Sequence, residues 1–254
     1  MDTPVTKTGG ADTNEAFECL NATGESRIVL VCDHASNRIP AHLGTLGLPA
    51  DALSRHIAYD IGAGELTAAL SARLDAPALL TRFSRLVIDA NRGRDDPTLI
   101  MALSDGAVVT ANHKLTPEAR EARIQTYFDP YHAAIDDALD RAQARGLAPI
   151  LVSIHSFTPV WRGRKRPWHC GVLWNRDGRL ALPLLAALRA DGDLVVGDNE
   201  PYSGALEGDC MDRHGTMRGV PHALIEVRQD LIGDAAGIAQ WAGRLGRALT
   251  SLRL

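Results

Sequence analysis

The run that opens at Arg27, Ile-Val-Leu-Val-Cys32, is apolar without a break and stops abruptly at Asp33-His34. A strand with one wet face alternates apolar and polar residues, whereas a strand covered on both faces does not. Comparable runs recur at Ala78–Thr81, Leu86–Ala90, Ile150–His155, Gly171–Trp174, Leu194–Val196 and Ala223–Val227. Helical patterns lie between them. Leu66, Leu70 and Leu74 repeat at four-residue spacing within 65–74, and leucines recur at similar intervals over 180–189. Strands that alternate with helices predict a single-domain α/β fold with a doubly wound, mostly parallel mixed sheet flanked by helices. Ligands of such sheets bind beyond the carboxyl ends of the strands.

The longest helix is expected from Thr116-Pro-Glu118 to Gly146, because an N-cap hydroxyl, a proline at the first helical position and an early acid coincide. Pro130 should kink or divide it. A last helix is expected over 235–252. Residues 1–25, polar and rich in Thr, Gly and Asn, are expected to be a flexible tail preceding a catalytic domain over 26–254.

The 254 residues are 45% hydrophobic and 23% charged, enough for a full core, and no linker divides them. A net charge of −4 supplies no basic field for nucleic acid or an anionic membrane, so a small ligand is the expected partner. The N-terminus lacks a secretory apolar run, and no stretch reaches the roughly 18 apolar residues of a membrane span, which points to the cytoplasm. Cys19, Cys32, Cys170 and Cys210 are far apart without C-x-x-C, so reduced, mostly buried thiols are expected. Ile61-Gly-Ala-Gly-Glu lacks the third glycine of a dinucleotide fingerprint, position 67 being Thr. No G-x-S-x-G elbow is present. The one dense charge run, Trp161-Arg-Gly-Arg-Lys-Arg-Pro-Trp168, is read as a loop that covers the site and attracts anions, with Arg164 as a substrate contact.

Applied to this chain, the strand-end rule selects His34, His155 and Glu226, the first two closing strands and the third lying inside one. Two imidazoles and a carboxylate suit a catalytic zinc site, which takes three protein ligands and keeps a position for water. Each histidine alone reads more simply as a hydrogen-bonded structural residue. Together, after apolar strands and before Ala35-Ser-Asn37 and Ser156, they read as a cleft floor.

Cys32-Asp-His-Ala-Ser-Asn-Arg-Ile-Pro40, Asp60-Ile-Gly-Ala63, Arg85-Leu-Val-Ile-Asp-Ala-Asn-Arg92, His155-Ser-Phe157 and Ile225-Glu-Val-Arg-Gln229 together resemble the N-formylglutamate amidohydrolase family over about residues 25–235. That family is similar in architecture to zinc carboxypeptidases. The resemblance implies hydrolysis of an N-acyl, above all N-formyl, amino acid such as N-formylglutamate, a step of histidine degradation, with one Zn2+ per chain. It implies that His34 and His155 ligate the metal, Glu226 is the general base, and Asn91 with Arg92 holds the substrate carboxylate. Arg85 would polarise the scissile carbonyl or bind a second carboxylate.

Where carboxypeptidases place a ligating Glu three residues after the first His, this chain has Asn37. Asp60 is therefore taken as the third ligand, beside glycines that permit close approach of the backbone to metal or ligand. The competing reading makes Asp60 a cap of the helix that follows. His56, four residues before Asp60, is placed behind it, and His132, in Asp129-Pro-Tyr-His, at the pocket lining. The alternative function is a small-molecule-binding member of the same fold that keeps the cleft without metal.

Overall fold

The structure, a computed structural model, describes residues 12–13 and 15–252. The strands of its main sheet are β1 (Asp12–Thr13), β2 (Phe17–Leu20), β3 (Ile28–Cys32), β4 (Ala78–Thr81), β7 (Ile150–Phe157), β10 (Cys170–Leu173), β11 (Val196–Asp198) and β12 (His222–Arg228). Hairpins β5/β6 (Leu103–Ser104, Ala107–Val108) and β8/β9 (Val160–Trp161, Arg164–Lys165) stand apart from it. The helices are α1 (Ala63–Leu74), α2 (Pro117–Arg123), α3 (Asp129–Ala144), α4 (Ala181–Arg189) and α5 (Ala235–Ser251).

The sheet order is β1-β2-β4-β3-β7-β12-β10-β11. The four central strands are parallel neighbours, and antiparallel pairs occur at β1–β2, β2–β4 and β10–β12. Every residue of β7 is buried, as an unbroken apolar run requires when helices cover both faces. Leu30, Val152 and Ile225 pack with α1, α4 and α5, while Val31, Leu151 and Leu224 face the layer that contains α3. Each fully buried aliphatic side chain contributes roughly 1.5–3 kcal/mol. Ser153 and His155 interrupt the second set within β7, a costly substitution unless each finds a polar partner.

Leu86–Ala90, expected as a strand, is not one. It is fully buried, but two of its carbonyls are satisfied by side chains: Asn112 Nδ2 donates to Leu86 O at 2.8 Å and Arg123 Nη1 to Val87 O at 2.9 Å. Burial explains the apolar composition, and side-chain hydrogen bonds replace a ladder. Part of the expected tail is also ordered, since Phe17–Leu20 pairs antiparallel with Thr81–Ala78; residues 1–11 and 14 lie outside the described residues.

Thr116 caps α2 by accepting from Ala119 N at 3.2 Å. Pro130 divides the long helix through a wide turn over Ile124–Phe128, closed by Asp129 N to Ile124 O. Proline removes one N–H and displaces the carbonyl four residues earlier, and a π turn accommodates both effects. No described helix is long and apolar enough to cross a membrane.

Candidate metal centre and substrate cleft

The carboxyl ends of β3 and β7 bring His34 and His155 together, their rings edge to face with centroids 4.9 Å apart. Asp60 reaches both from the loop before α1. Its Oδ2 lies 2.8 Å from His155 Nδ1 and 3.4 Å from His34 Nδ1, and it also accepts from Ser156 N at 3.3 Å. One donor atom from each of the three residues lies within 4.8 Å of the others, and all three residues are buried. The capping reading of Asp60 fails, because the α1 N-cap is Gly62 and has no side-chain cap bond. Gly62 adopts φ +80°, and a Cβ there would meet Ile232 O at 2.3 Å. This glycine serves the turn and a backbone contact rather than approach to a ligand.

Each imidazole turns its other nitrogen to a buried carboxylate that the sequence reading had left without a role. His34 Nε2 lies 2.7 Å from Asp89 Oδ1, and His155 Nε2 lies 3.1 Å from Asp33 Oδ2. These acids are themselves held in place. Tyr131 and Ser153 hydroxyls donate to Asp33 at 2.9 and 3.0 Å, and Arg85 donates to Asp89 Oδ2 from Nε at 3.2 Å and Nη2 at 2.7 Å. A carboxylate behind a histidine fixes the ring's orientation and tautomer and raises the basicity of its opposite nitrogen, an arrangement typical of metal-ligating histidines.

Burial alone would push the Asp33, Asp60 and Asp89 carboxyls up; the surrounding imidazoles, and Arg85 at Asp89, overcome it and hold all three below the usual carboxylate range. Burial opposes a charge on His155, yet hydrogen bonds to Asp33 and Asp60 push its imidazole up to about 10. The cluster is built to hold positive charge. Two nitrogens and a carboxylate oxygen converging in such a field are a donor set suited to a divalent cation of zinc's type.

Glu226 faces the same centre, its Cα paired in register with that of His155 across β12 and β7. Its Oε2 is buried with no hydrogen-bond partner among the described residues. Burial pushes its carboxyl up to about 7, against the pull of His155. Together these residues open onto a cleft of about 480 Å³ that Arg85, Asn91, Arg92, Trp161, Tyr202 and Asp209 also line. Among the described residues no carboxylate lies within ion-pair distance of Arg92, whose bonds go to Thr98 Oγ1 at 3.2 Å and Asn91 O at 2.7 Å.

Three expectations need correction. Arg164 is exposed on the β8/β9 hairpin and does not line the cleft; the hairpin's contribution is Trp161. Arg166, buried two residues further on, donates to the Tyr202 hydroxyl at 3.1 Å. His132 is buried outside the cleft, 2.7 Å from His214 Nε2, because α3 turns that side chain away from the strand ends. His56 stands in the cleft wall rather than behind Asp60, since residues 55–60 are not helical, and its Nε2 lies 3.4 Å from Asp105 Oδ2. Asp33, Asp89 and Asp209 were missed. The signals for the first two were an acid at or near the end of an apolar run and a place inside the motifs Cys32–Pro40 and Arg85–Arg92; Asp209, whose burial pushes its carboxyl up to about 7, had none.

Comparison with known proteins gives a consistent result. Residues 26–233 match the model of a family described as N-formylglutamate amidohydrolase. A gene product of Agrobacterium tumefaciens of solved structure is similar with TM-score 0.88 and 36% identity, over 94% of this chain and 96% of that one. The structure of an N-formylglutamate amidohydrolase from Ralstonia eutropha JMP134 superposes with TM-score 0.71 at 23% identity, over 92% of this chain and 96% of that one, a likeness of fold. No curated protein matches the chain significantly.

Proposed function

The chain belongs to the N-formylglutamate amidohydrolase family, and from that premise we propose that it is a zinc-dependent hydrolase of N-formyl amino acids. N-formyl-L-glutamate is the foremost substrate, with formate and the free amino acid as products. The observation that carries this reading is the joint placement of three converging buried donor atoms and the unpartnered Glu226 Oε2 in one cleft. A small-molecule-binding protein without metal has no use for that buried, unsatisfied carboxyl. We place the catalytic unit within residues 26–254.

His34, Asp60 and His155 would hold the ion, and when bound it supplies the Lewis acidity that makes a water nucleophilic near neutral pH. Asn91 and Arg92 take the substrate carboxylate, the guanidinium by two parallel charge-assisted hydrogen bonds that fix orientation as well as charge. Glu226 removes a proton from water as its oxygen attacks the formyl carbon. It then returns that proton to the amide nitrogen, and the C–N bond breaks to give formate and the amine. Arg85 Nη1, whose bond is a long one to Asp60 Oδ1 at 3.5 Å rather than to Asp89, lines the cleft and would turn to the carbonyl oxygen as negative charge develops there.

The direct test is a panel of N-formyl and N-acetyl amino acids, with zinc and after chelation, followed by release of free amine. Zinc-dependent cleavage of the N-formyl acids is expected. Hydrolysis that survives complete chelation would remove the metal from the proposal.

Two substitutions probe the roles separately. Arg92→Ala should raise KM by about 10²-fold, since two charge-assisted bonds worth roughly 1.5 kcal/mol or more each are lost. The parent protein should cleave a substrate whose carboxylate is replaced by a neutral amide poorly, and the variant should cleave it no worse. Equal parent turnover of acid and amide would sink the assignment. Asp89→Asn should weaken metal binding by about 10–100-fold, because the amide cannot accept from His34 as a carboxylate does. Titration with a competing chelator measures this, and unchanged affinity would make the Asp89 contact merely structural.

A further inference from the structure

We propose that His132, Cys210 and His214 form a second, buried metal site for a thiophilic ion of zinc's class, separate from the His34, Asp60 and His155 centre and independent of the hydrolase reading. One donor atom from each of these residues lies within 4.8 Å of the others, and all three residues are buried. Cys210 and His214 are four residues apart on a helical turn that widens to π geometry over Asp212–Thr216, which sets both on one side. His132 approaches from α3.

The second coordination layer is already built. His214 Nδ1 lies 2.9 Å from Asp136 Oδ1, leaving Nε2 turned inward, 2.7 Å from His132 Nδ1. The histidines of the first centre show the same arrangement, one nitrogen on a carboxylate and the other among potential ligands. His132 Nε2, by contrast, is buried with no hydrogen-bond partner among the described residues.

The donor set selects the ion. A thiol with two imidazoles suits zinc and related soft or borderline ions, whereas magnesium and calcium demand oxygen. Tetrahedral ligand nitrogens about 2.0–2.1 Å from zinc stand roughly 3.3 Å apart, so entry requires the two rings to separate by about half an ångström and exchange their hydrogen bond for metal bonds. The Cys210 thiol, which burial and the neighbouring Asp33 carboxylate hold well above the usual thiol range, gives up its proton to solvent only as the metal–sulfur bond forms, so occupancy falls as pH is lowered. The ion would join α3 to the segment that lines the cleft at Asp209 and whose Cys210 N–H donates to Asn91 Oδ1 at 3.2 Å.

Cobalt(II) loading decides the matter, because of the two donor groups among the described residues this one alone contains sulfur. The parent protein, loaded with excess cobalt and freed of unbound ion, is expected to hold two equivalents and to show a near-ultraviolet sulfur-to-cobalt charge-transfer band. Cys210→Ser and His214→Ala should each lose that band and one equivalent, while His155→Ala should lose the other equivalent and keep the band. A folded parent with no sulfur band, or a band that persists in Cys210→Ser, overturns the proposal. If the variants do not fold, the stoichiometry and spectrum of the parent still decide it.

Discussion

His155→Ala is expected to leave the His34 and Asp60 centre with little bound metal and the protein with no measurable turnover. His155 is the side chain that Asp60 and Asp33 both grip, at 2.8 and 3.1 Å. Losing only a hydrogen-bond partner behind a ligand typically costs 10–100-fold in metal affinity, so loss of the ligand itself should exceed about 10²-fold. The same change strips two buried carboxylates of their shared cation, and breaking a buried ion pair from one side costs roughly 3–5 kcal/mol. Circular dichroism must therefore accompany metal analysis by mass spectrometry. A folded variant with full metal occupancy would exclude His155 as a ligand.

Glu226→Gln separates the base from the ligands. The amide keeps the side chain's shape within β12 but cannot take a proton. General acid–base catalysis typically contributes about 10²- to 10⁴-fold, so kcat should fall by that factor while metal content stays at the parent level. Loss of metal together with activity would make Glu226 a ligand instead, and a near-normal kcat would remove it from the mechanism.

Much of the fold was legible because burial writes itself into composition. Runs such as Ile28–Cys32 and Ile150–Ile154 are apolar throughout since helices cover both faces of the sheet. The same signal misled at Leu86–Ala90, where burial is equally complete but side chains of Asn112 and Arg123 satisfy the backbone. Periodicity reports environment rather than hydrogen-bond partner. Phe17–Leu20 went unseen for the opposite reason: a four-residue strand in a polar segment near the sheet's edge, half-buried and paired between β1 and β4, carries little pattern.

That His34 follows a buried strand, that Glu226 lies within another, and that strands and helices alternate are local properties, legible from residues adjacent in the chain, although β7 continues past His155 to Phe157. Only the tertiary structure decided which acids meet the histidines. Asp89 reaches His34 across 55 residues and Asp33 reaches His155 across 122, because sheet order puts β3 beside β7 and a strandless loop carries Asp89 beneath them. It likewise turned His132 from the cleft toward His214 and left Arg164 in solvent. A side chain's partners follow from the path of the whole chain, and the free energy that fixes a buried charge comes from those partners rather than from its neighbours in sequence.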